Sequence, residues 1–243
     1  MDYIFDVNLL KNRVILITGA TGDIGKCVAI TYVKCGAKVI LLGRNFCELN
    51  NLKNHINSIR KFSANSYVID MNKLTYNSAK KFVSKIRNKY IKLNGILHNS
   101  GDLGLLLPIK KYPVFLWKRV IRVNLDSVFI LTKLLLPLLL RSSSSSLLFT
   151  TSSVGRIGRA YWGAYSISKF AIEGMMQILS LEYKDTSLRV NCVNPGQIRT
   201  KMRALAYPNE DVSLLNNPID LMPMYLYLMS NDSIKKTGFS FDV

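Results

Sequence analysis

The sequence predicts an α/β fold: a doubly wound parallel sheet of about seven strands with helices on both faces. Three observations carry this. Short apolar runs alternate with stretches of helical periodicity along the chain. Runs such as Val39-Ile40-Leu41-Leu42 are continuously apolar, as strands buried on both faces require. The first run enters a glycine-rich turn that opens a helix, the connection that parallel nucleotide-binding sheets use.

Residues 13–18, Arg-Val-Ile-Leu-Ile-Thr, form the first predicted strand. A helix follows from Ile24 to Cys35, and Gly36 is a suitable stop. Residues 38–42 are the second strand, and the amphipathic segment 46–61 follows it. The third strand is read at Ser66–Asp70. A helix with a basic face comes next, with Lys80, Lys81, Lys85, Arg87, Lys89 and Lys92 interleaved with Ala79, Phe82, Val83, Ile86 and Tyr90. Residues 95–98 are the fourth strand, 113–140 a long helical region, and the serine run 142–146 a loop. The fifth strand is read at 147–151, a helix at 163–183, the sixth strand at 188–193, a helix at 218–229 and a last short strand at 239–241. No repeat or linker interrupts this order, so residues 1–243 read as one domain.

Composition narrows the class. Lys and Arg outnumber Asp and Glu by 33 to 15, a formal charge of +18. The cations are scattered and carry no nucleic-acid signature, so the expectation is a basic surface without a specific nucleic-acid partner. Cys27, Cys35, Cys47 and Cys192 form no CxxC pair, and only His55 and His98 accompany them, so no metal site is expected. The same usage fits a reducing cytoplasm. Residues 1–10 carry two Asp and no long apolar run, unlike a secretory leader. The greasiest stretch, 134–140, contains Pro137 and falls short of the ~20 residues a membrane span needs, so it reads as a buried helix end.

The glycine-rich turn reads Thr18-Gly19-Ala20-Thr21-Gly22-Asp23-Ile24-Gly25. Glycines there allow a sharp turn and bring backbone amides against a pyrophosphate at the positive end of the next helix. The end of strand two, Leu42-Gly43-Arg44-Asn45, lacks the carboxylate that holds the ribose hydroxyls of NAD. Arg44 suits a 2′-phosphate, which favours NADP(H) over NAD(H); a surface Arg opening a loop is the other reading. Asp70 is placed either to reach an adenine ring or to cap a nearby helix.

Further polar groups follow successive strands: His98-Asn99-Ser100-Gly101, then Ser152-Ser153-Val154-Gly155, then Tyr165-Ser166-Ile167-Ser168-Lys169. Tyr165 and Lys169 are four apart and share a helix face. A phenol titrates near pH 10, and a neighbouring ammonium favours its ionised form, as a general acid/base at working pH requires. Taken with Val123-Asn124 and the run from Pro195 to Thr200, the order and spacing resemble the short-chain dehydrogenase/reductase family over nearly the whole chain. The stretches GRAYWGAYSISKFAIEGMMQ and RVNCVNPGQIRTKMRA are similar in particular to those of bacterial YciK-like oxidoreductases.

The resemblance implies a Rossmann-type oxidoreductase acting on CH–OH groups, with a small carbonyl or alcohol as substrate. It implies that Tyr165 exchanges the proton with the substrate oxygen. Lys169 would also bind the nicotinamide ribose, Ser152 the substrate oxygen, and Asn124 a water in the proton relay. Asn99 and Gly101 would line the cofactor pocket, as would Pro195, Gly196, Ile198 and Thr200, with Ile198 and Thr200 at the carboxamide. Ser152, not Ser153, matches the family serine, and His98 reads as structural.

Two departures stand out. Asp23 takes the middle-glycine position of the commonest TGxxxGxG fingerprint, where its carboxylate is repulsive to a pyrophosphate unless it points away. The chain ends at Val243, before the glycine-rich tail usual in such chains. These two features favour the alternative of a non-catalytic dinucleotide-binding regulatory or partner protein; the retained Ser152, Tyr165, Lys169 and Asn124 oppose it. The helix 164–183 is apolar nearly all round, which predicts a homodimer or homotetramer. The substrate loop is expected between Thr200 and Asn217, with Met202, Leu205, Tyr207, Leu214 and Leu215 lining an apolar pocket and Lys201 and Arg203 at its start.

Overall fold

The computed structural model describes residues 3–243. Its centre is a seven-stranded sheet in the order β3-β2-β1-β4-β5-β6-β7. The strands are β1 (Val14–Thr18), β2 (Lys38–Gly43), β3 (Ala64–Val68), β4 (Gly95–His98), β5 (Ser145–Thr150), β6 (Leu188–Asn194) and β7 (Ser240–Asp242). Every pairing is parallel. The helices that connect them are α1 (Asp23–Lys34), α2 (Phe46–Ile59), α3 (Tyr76–Lys89), α4 (Val114–Ile121), α5 (Ser127–Leu140), α6 (Gly163–Glu182), α7 (Lys201–Ala206) and α8 (Met222–Met229).

Strand side chains alternate between two cores, as a period of two requires. Ile15, Ile17, Val39, Leu41 and Leu148 face α1, α2 and α8. Leu16, Ile40, Leu42, Ile96, Leu147 and Phe149 face α3, α5 and α6. The sheet is therefore covered on both sides. Gly36, with φ at +96°, ends α1, and a side chain there would also meet the Lys11 backbone at 3.0 Å.

Two expectations need correction, the bounds of the third strand and the serine run. β3 begins two residues earlier than read, because Asn57 on α2 brackets Ala64 through both its backbone N–H and its carbonyl. Asp70 then lies past the strand, where its carboxylate accepts from Asn72 N at 2.9 Å and caps the short turn Met71–Lys73. The serine run is not wholly a loop. Ser145 and Ser146 are fully buried and start β5, and Ser146 Oγ donates to Leu228 O at 2.8 Å, so its polar atom is satisfied without water.

The long helical region is α4 and α5 joined by a single π-helical turn, Arg122–Asp126. Such bulges rotate one residue inward and recur at functional sites; the residue here is buried Asn124. The uninterrupted helix Val114–Leu140 is long and apolar enough to cross a membrane by length and composition. Its Leu131, Leu135, Leu138 and Leu139 are fully buried in the α3–α5–α6 core, which accounts for that apolarity. The helix carrying the basic stripe lies as read, with Ala79, Phe82, Val83 and Ile86 inward.

Candidate active site

The C-terminal edge of the sheet gathers most of the residues singled out by sequence. The β1–α1 turn is built by glycine. Gly19 sits at φ +61° with the Ser100 backbone 2.9 Å from where its Cβ would be. A Cβ on Gly25 would stand 2.2 Å from Gly19 O, so any side chain there forces the turn open. Thr18 Oγ1 accepts from Asn99 N and Ser100 N at 3.0 and 3.1 Å, and Asn99 Nδ2 reaches Gly19 O. The turn is thereby tied to the loop after β4. Gly22 is the N-cap of α1 and no side chain caps that helix. With no side chain competing for them, the first amides of α1, with Thr21 and Ile24 beside them, fit the pyrophosphate of a dinucleotide. The Asp23 carboxylate points away. It accepts from Lys201 N at 2.7 Å, linking α1 to the first residue of α7. Arg44 is exposed just past β2 and forms no ion pair among the described residues.

Tyr165 and Lys169 stand one turn apart on α6, both buried. Lys169 Nζ donates to Thr150 O at 2.7 Å and lies 5.5 Å from the Tyr165 ring centroid. Gly155 explains how α6 comes so near the β5 loop: a Cβ on it would lie 2.8 Å from Lys169 Cβ. Burial lowers the Lys169 ammonium to about 8. Burial raises the Tyr165 phenol to about 12, and the Ser152 side chain beside it opposes that rise. The expected pull of Lys169 on the phenol is thus not the dominant effect. Desolvation dominates, and Lys169 is not among the groups that move the phenol, its Nζ being held by Thr150 O. Ser152 is half-buried against Tyr165, while Ser153 is exposed.

Asn124 is locked from three sides. Its Oδ1 accepts from Asp102 N at 2.7 Å, and its Nδ2 donates to Asp102 O and to Ser168 Oγ, both at 3.0 Å. It clamps the loop after β4 onto α6. His98 is structural: it stacks on Phe149, and its Nε2 lies 3.0 Å from Thr132 Oγ1. Burial lowers it to about 3, so it stays neutral at any physiological pH. Beyond β6, Gly196 takes φ +72° and Ile198 is buried. Thr200 caps α7 by accepting from Arg203 N at 3.1 Å. Gly101 lies where a Cβ would touch Met202 at 3.5 Å.

The mouth above Tyr165 is apolar. Leu103, Leu106, Val154, Trp162, Met202 and Ala206 pack around it. Trp162 is 5.7 Å from Tyr165 and 5.9 Å from Tyr207 between ring centroids. Arg159 donates to Tyr207 Oη at 2.6 Å, and Arg203 lies 3.9 Å over the same ring while pairing with Glu210. Of the residues expected to line the pocket, Met202 and Tyr207 do so. Leu205 and Leu214 point to solvent and Leu215 is buried away from Tyr165. Sequence reading missed Trp162, Leu103 and Leu106. Trp162 sits three residues before Tyr165, a spacing that hints at the contact. Among the described residues no group of Asp, Glu, His and Cys is arranged to hold a metal.

A Rossmann sheet with Ser152, Tyr165 and Lys169 at its C-terminal edge defines a dinucleotide-dependent oxidoreductase of the short-chain type. The short chain dehydrogenase family model matches residues 13–211, and the chain belongs to that family. Among its relatives, the oxidoreductase YciK of Escherichia coli K12 is 48% identical over 235 residues, covering 97% of this chain and 93% of the relative. Two solved structures, each 48% identical, superpose with a TM-score of 0.95 and cover 98% of this chain and 99% of theirs. One is a short chain dehydrogenase from Shigella flexneri complexed with NADP. The other is from Escherichia coli CFT073, complexed with NADPH.

Proposed function

We propose that the chain interconverts a small, largely apolar carbonyl compound and its alcohol with NADP(H), Tyr165 being the proton donor or acceptor. The observation that carries this reading is the convergence of Ser152, Tyr165 and Lys169 beneath an apolar mouth at the open end of the glycine turn. The nucleotide would lie along Gly19, Thr21, Gly22, Ile24 and Gly25, with Arg44 at the 2′-phosphate and Asp70 near the adenine. Asn99, Gly101, Pro195, Gly196, Ile198 and Thr200 would border its nicotinamide end. Bound there, NADPH supplies the hydride. Ser152 orients the substrate oxygen by hydrogen bonding, and Tyr165 gives that oxygen its proton. Lys169 stabilises the phenolate left behind and Asn124 holds the loop that shapes the relay. The pairs with NADP and NADPH among similar structures support the nucleotide choice. The assay is consumption of NADPH against a panel of small aldehydes and ketones; no turnover with any, despite nucleotide binding, would favour the non-catalytic reading.

Arg44 sets the nucleotide preference. A charge-assisted bond to a phosphate is worth about 1.5–3 kcal/mol, so Arg44→Ala is expected to weaken NADPH roughly tenfold to a hundredfold and leave NADH unchanged. Isothermal titration of both nucleotides checks this. Equal loss for both would move the 2′-phosphate elsewhere.

We further infer a homo-oligomer built on α5 and α6. Phe129, Ile167, Phe170, Ile178 and Leu181 are exposed on these two helices, beside a groove of about 730 Å³ lined by Leu136, Met175 and Leu179. A soluble monomer rarely exposes so much contiguous apolar surface. Light scattering is expected to give a dimer or tetramer, and Ile178→Asp to give monomers. A monomeric parent protein would remove this reading. Residues 1–243 act as one unit in the reducing cytoplasm, consistent with four free cysteines.

A further inference from the structure

At the opposite edge of the sheet from Tyr165, two arginines are buried side by side. Arg13 precedes β1 and Arg189 is the second residue of β6. They are 6% and 3% exposed. Both guanidinium groups donate to the same acceptor: Arg189 Nη1 to Ser144 Oγ at 2.9 Å and Arg13 Nη2 to it at 3.4 Å. Their remaining contacts are neutral. Arg13 Nη2 also reaches the amide oxygen of Asn231, and Arg189 Nη2 donates to Ser230 O at 2.7 Å. Arg13 Nη1 and Arg189 Nε are buried without a partner. Among the described residues neither guanidinium forms an ion pair. Asp232, one residue beyond Asn231, acts on Arg13 electrostatically without forming an ion pair with it, and its carboxylate also accepts from the Tyr3 hydroxyl.

This arrangement is electrostatically incomplete. Arginine keeps its charge in proteins, so burial cannot be relieved by losing a proton. A buried charge requires a counter-charge, and two like charges sharing one hydroxyl require it more. The Ser230 carbonyl ends α8 and brings a helix C-terminus, which offers only about half a negative charge. Burial and the neighbouring Arg13 both push the Arg189 guanidinium down, to about 10. The cluster is close to solvent, since Ser143 and Asn231 are exposed and Ser144 is half-exposed.

We propose that Arg13, Arg189 and Ser144 form a binding site for a small oxyanion of phosphate size, remote from the active site. The planar forks of two guanidinium groups match the oxygens of such an anion, which enters beside half-exposed Ser144; Arg13 Nη1 and Arg189 Nε, sealed from solvent and unpartnered, gain an acceptor as the cluster opens around it. The anion supplies a counter-charge in direct contact with both guanidinium groups, where Asp232 acts on Arg13 without an ion pair. It acts as a removable structural ligand holding the starts of β1, β5 and β6 to the end of α8.

The test is thermal unfolding of the full chain, with phosphate titrated at constant ionic strength set by sodium chloride. It is run with and without saturating NADPH, so that phosphate entering the nucleotide site is told apart. Wild type is expected to gain a saturable rise of about 5–10 °C at a hundredfold excess over Kd, in both conditions. Asn231→Asp places a carboxylate where Arg13 already meets an amide oxygen. It is expected to raise Tm without phosphate and to abolish the phosphate effect. Arg13→Gln is expected to abolish it too. A phosphate response that is absent from the wild type, lost when NADPH is bound, or unchanged in Asn231→Asp would overturn the proposal.

Discussion

Replacing Tyr165 by Phe is expected to lower kcat by about a hundredfold to ten-thousandfold, the range a positioned general acid/base contributes. The ring is packed among Leu103, Val154 and Trp162, and Phe keeps every one of those contacts. The Ser152 side chain is the one hydrogen-bonding group that moves the phenol, so stability falls little. NADPH affinity is expected to change less than threefold. The two effects separate chemistry from folding: a large loss of kcat with preserved Tm and nucleotide affinity assigns the proton to Tyr165. Unchanged kcat would remove that assignment and leave Ser152 as the nearest hydroxyl. The Tyr165 phenol, raised to about 12, also sets a pH expectation. It is protonated at physiological pH, ready to donate in the reducing direction. Alcohol oxidation needs it ionised first, so that direction is expected to speed up as pH rises from 7 to 9.

Lys169→Met is expected to do two opposite things. It abolishes turnover, because no cation remains to stabilise a phenolate on Tyr165. It also stabilises the unliganded protein near pH 7. The Lys169 ammonium falls from an ordinary 10.5 to about 8 on folding, a cost of about 3 kcal/mol when it must stay charged. Losing its bond to Thr150 O gives back roughly 1 kcal/mol. The net gain of about 2 kcal/mol corresponds to a Tm rise of roughly 4–8 °C for a chain of this size. The sign follows from proton uptake. Between pH 8 and 10.5 the unfolded chain binds a proton at this group that the folded protein does not, so wild-type stability from Lys169 rises with pH across that window. Below pH 8 both states are protonated and the cost is constant. In Lys169→Met the rise is absent. Calorimetry at pH 7 and pH 10 measures both points, and a destabilised variant at pH 7 would show that the buried ammonium is compensated by more than desolvation suggests.

Much of the fold was legible because its signals are local. Apolar runs of four residues such as Val14–Ile17 and Val39–Leu42 read as strands between helical patterns, and a glycine such as Gly36 ends a helix by its own backbone. The misplacements came from long-range contacts. Asn57 fixes where β3 starts, and the end of α8 satisfies a buried Ser146; neither partner is near in sequence. The same division holds for the site. Tyr165 and Lys169 are one helical turn apart and announce themselves by spacing. Ser152 and Asn124 become visible only through family pattern, since their partners lie on other elements. The Asp23 puzzle resolves only in three dimensions, because its acceptor role is toward Lys201, 178 residues away. The hydroxyl and amide contacts of Asn124 depend on a π turn that no composition rule marks.

The most direct measurement of nucleotide-dependent function is thermal unfolding with NADPH, NADP, NADH and NAD in turn. A ligand at a hundred times its Kd adds about 2.7 kcal/mol to the folded state. NADPH is expected to raise Tm by about 5–10 °C and NADH by clearly less, if Arg44 holds the 2′-phosphate as proposed. No rise with any of the four would contradict a dinucleotide site at the glycine turn, and with it the oxidoreductase mechanism built on Tyr165.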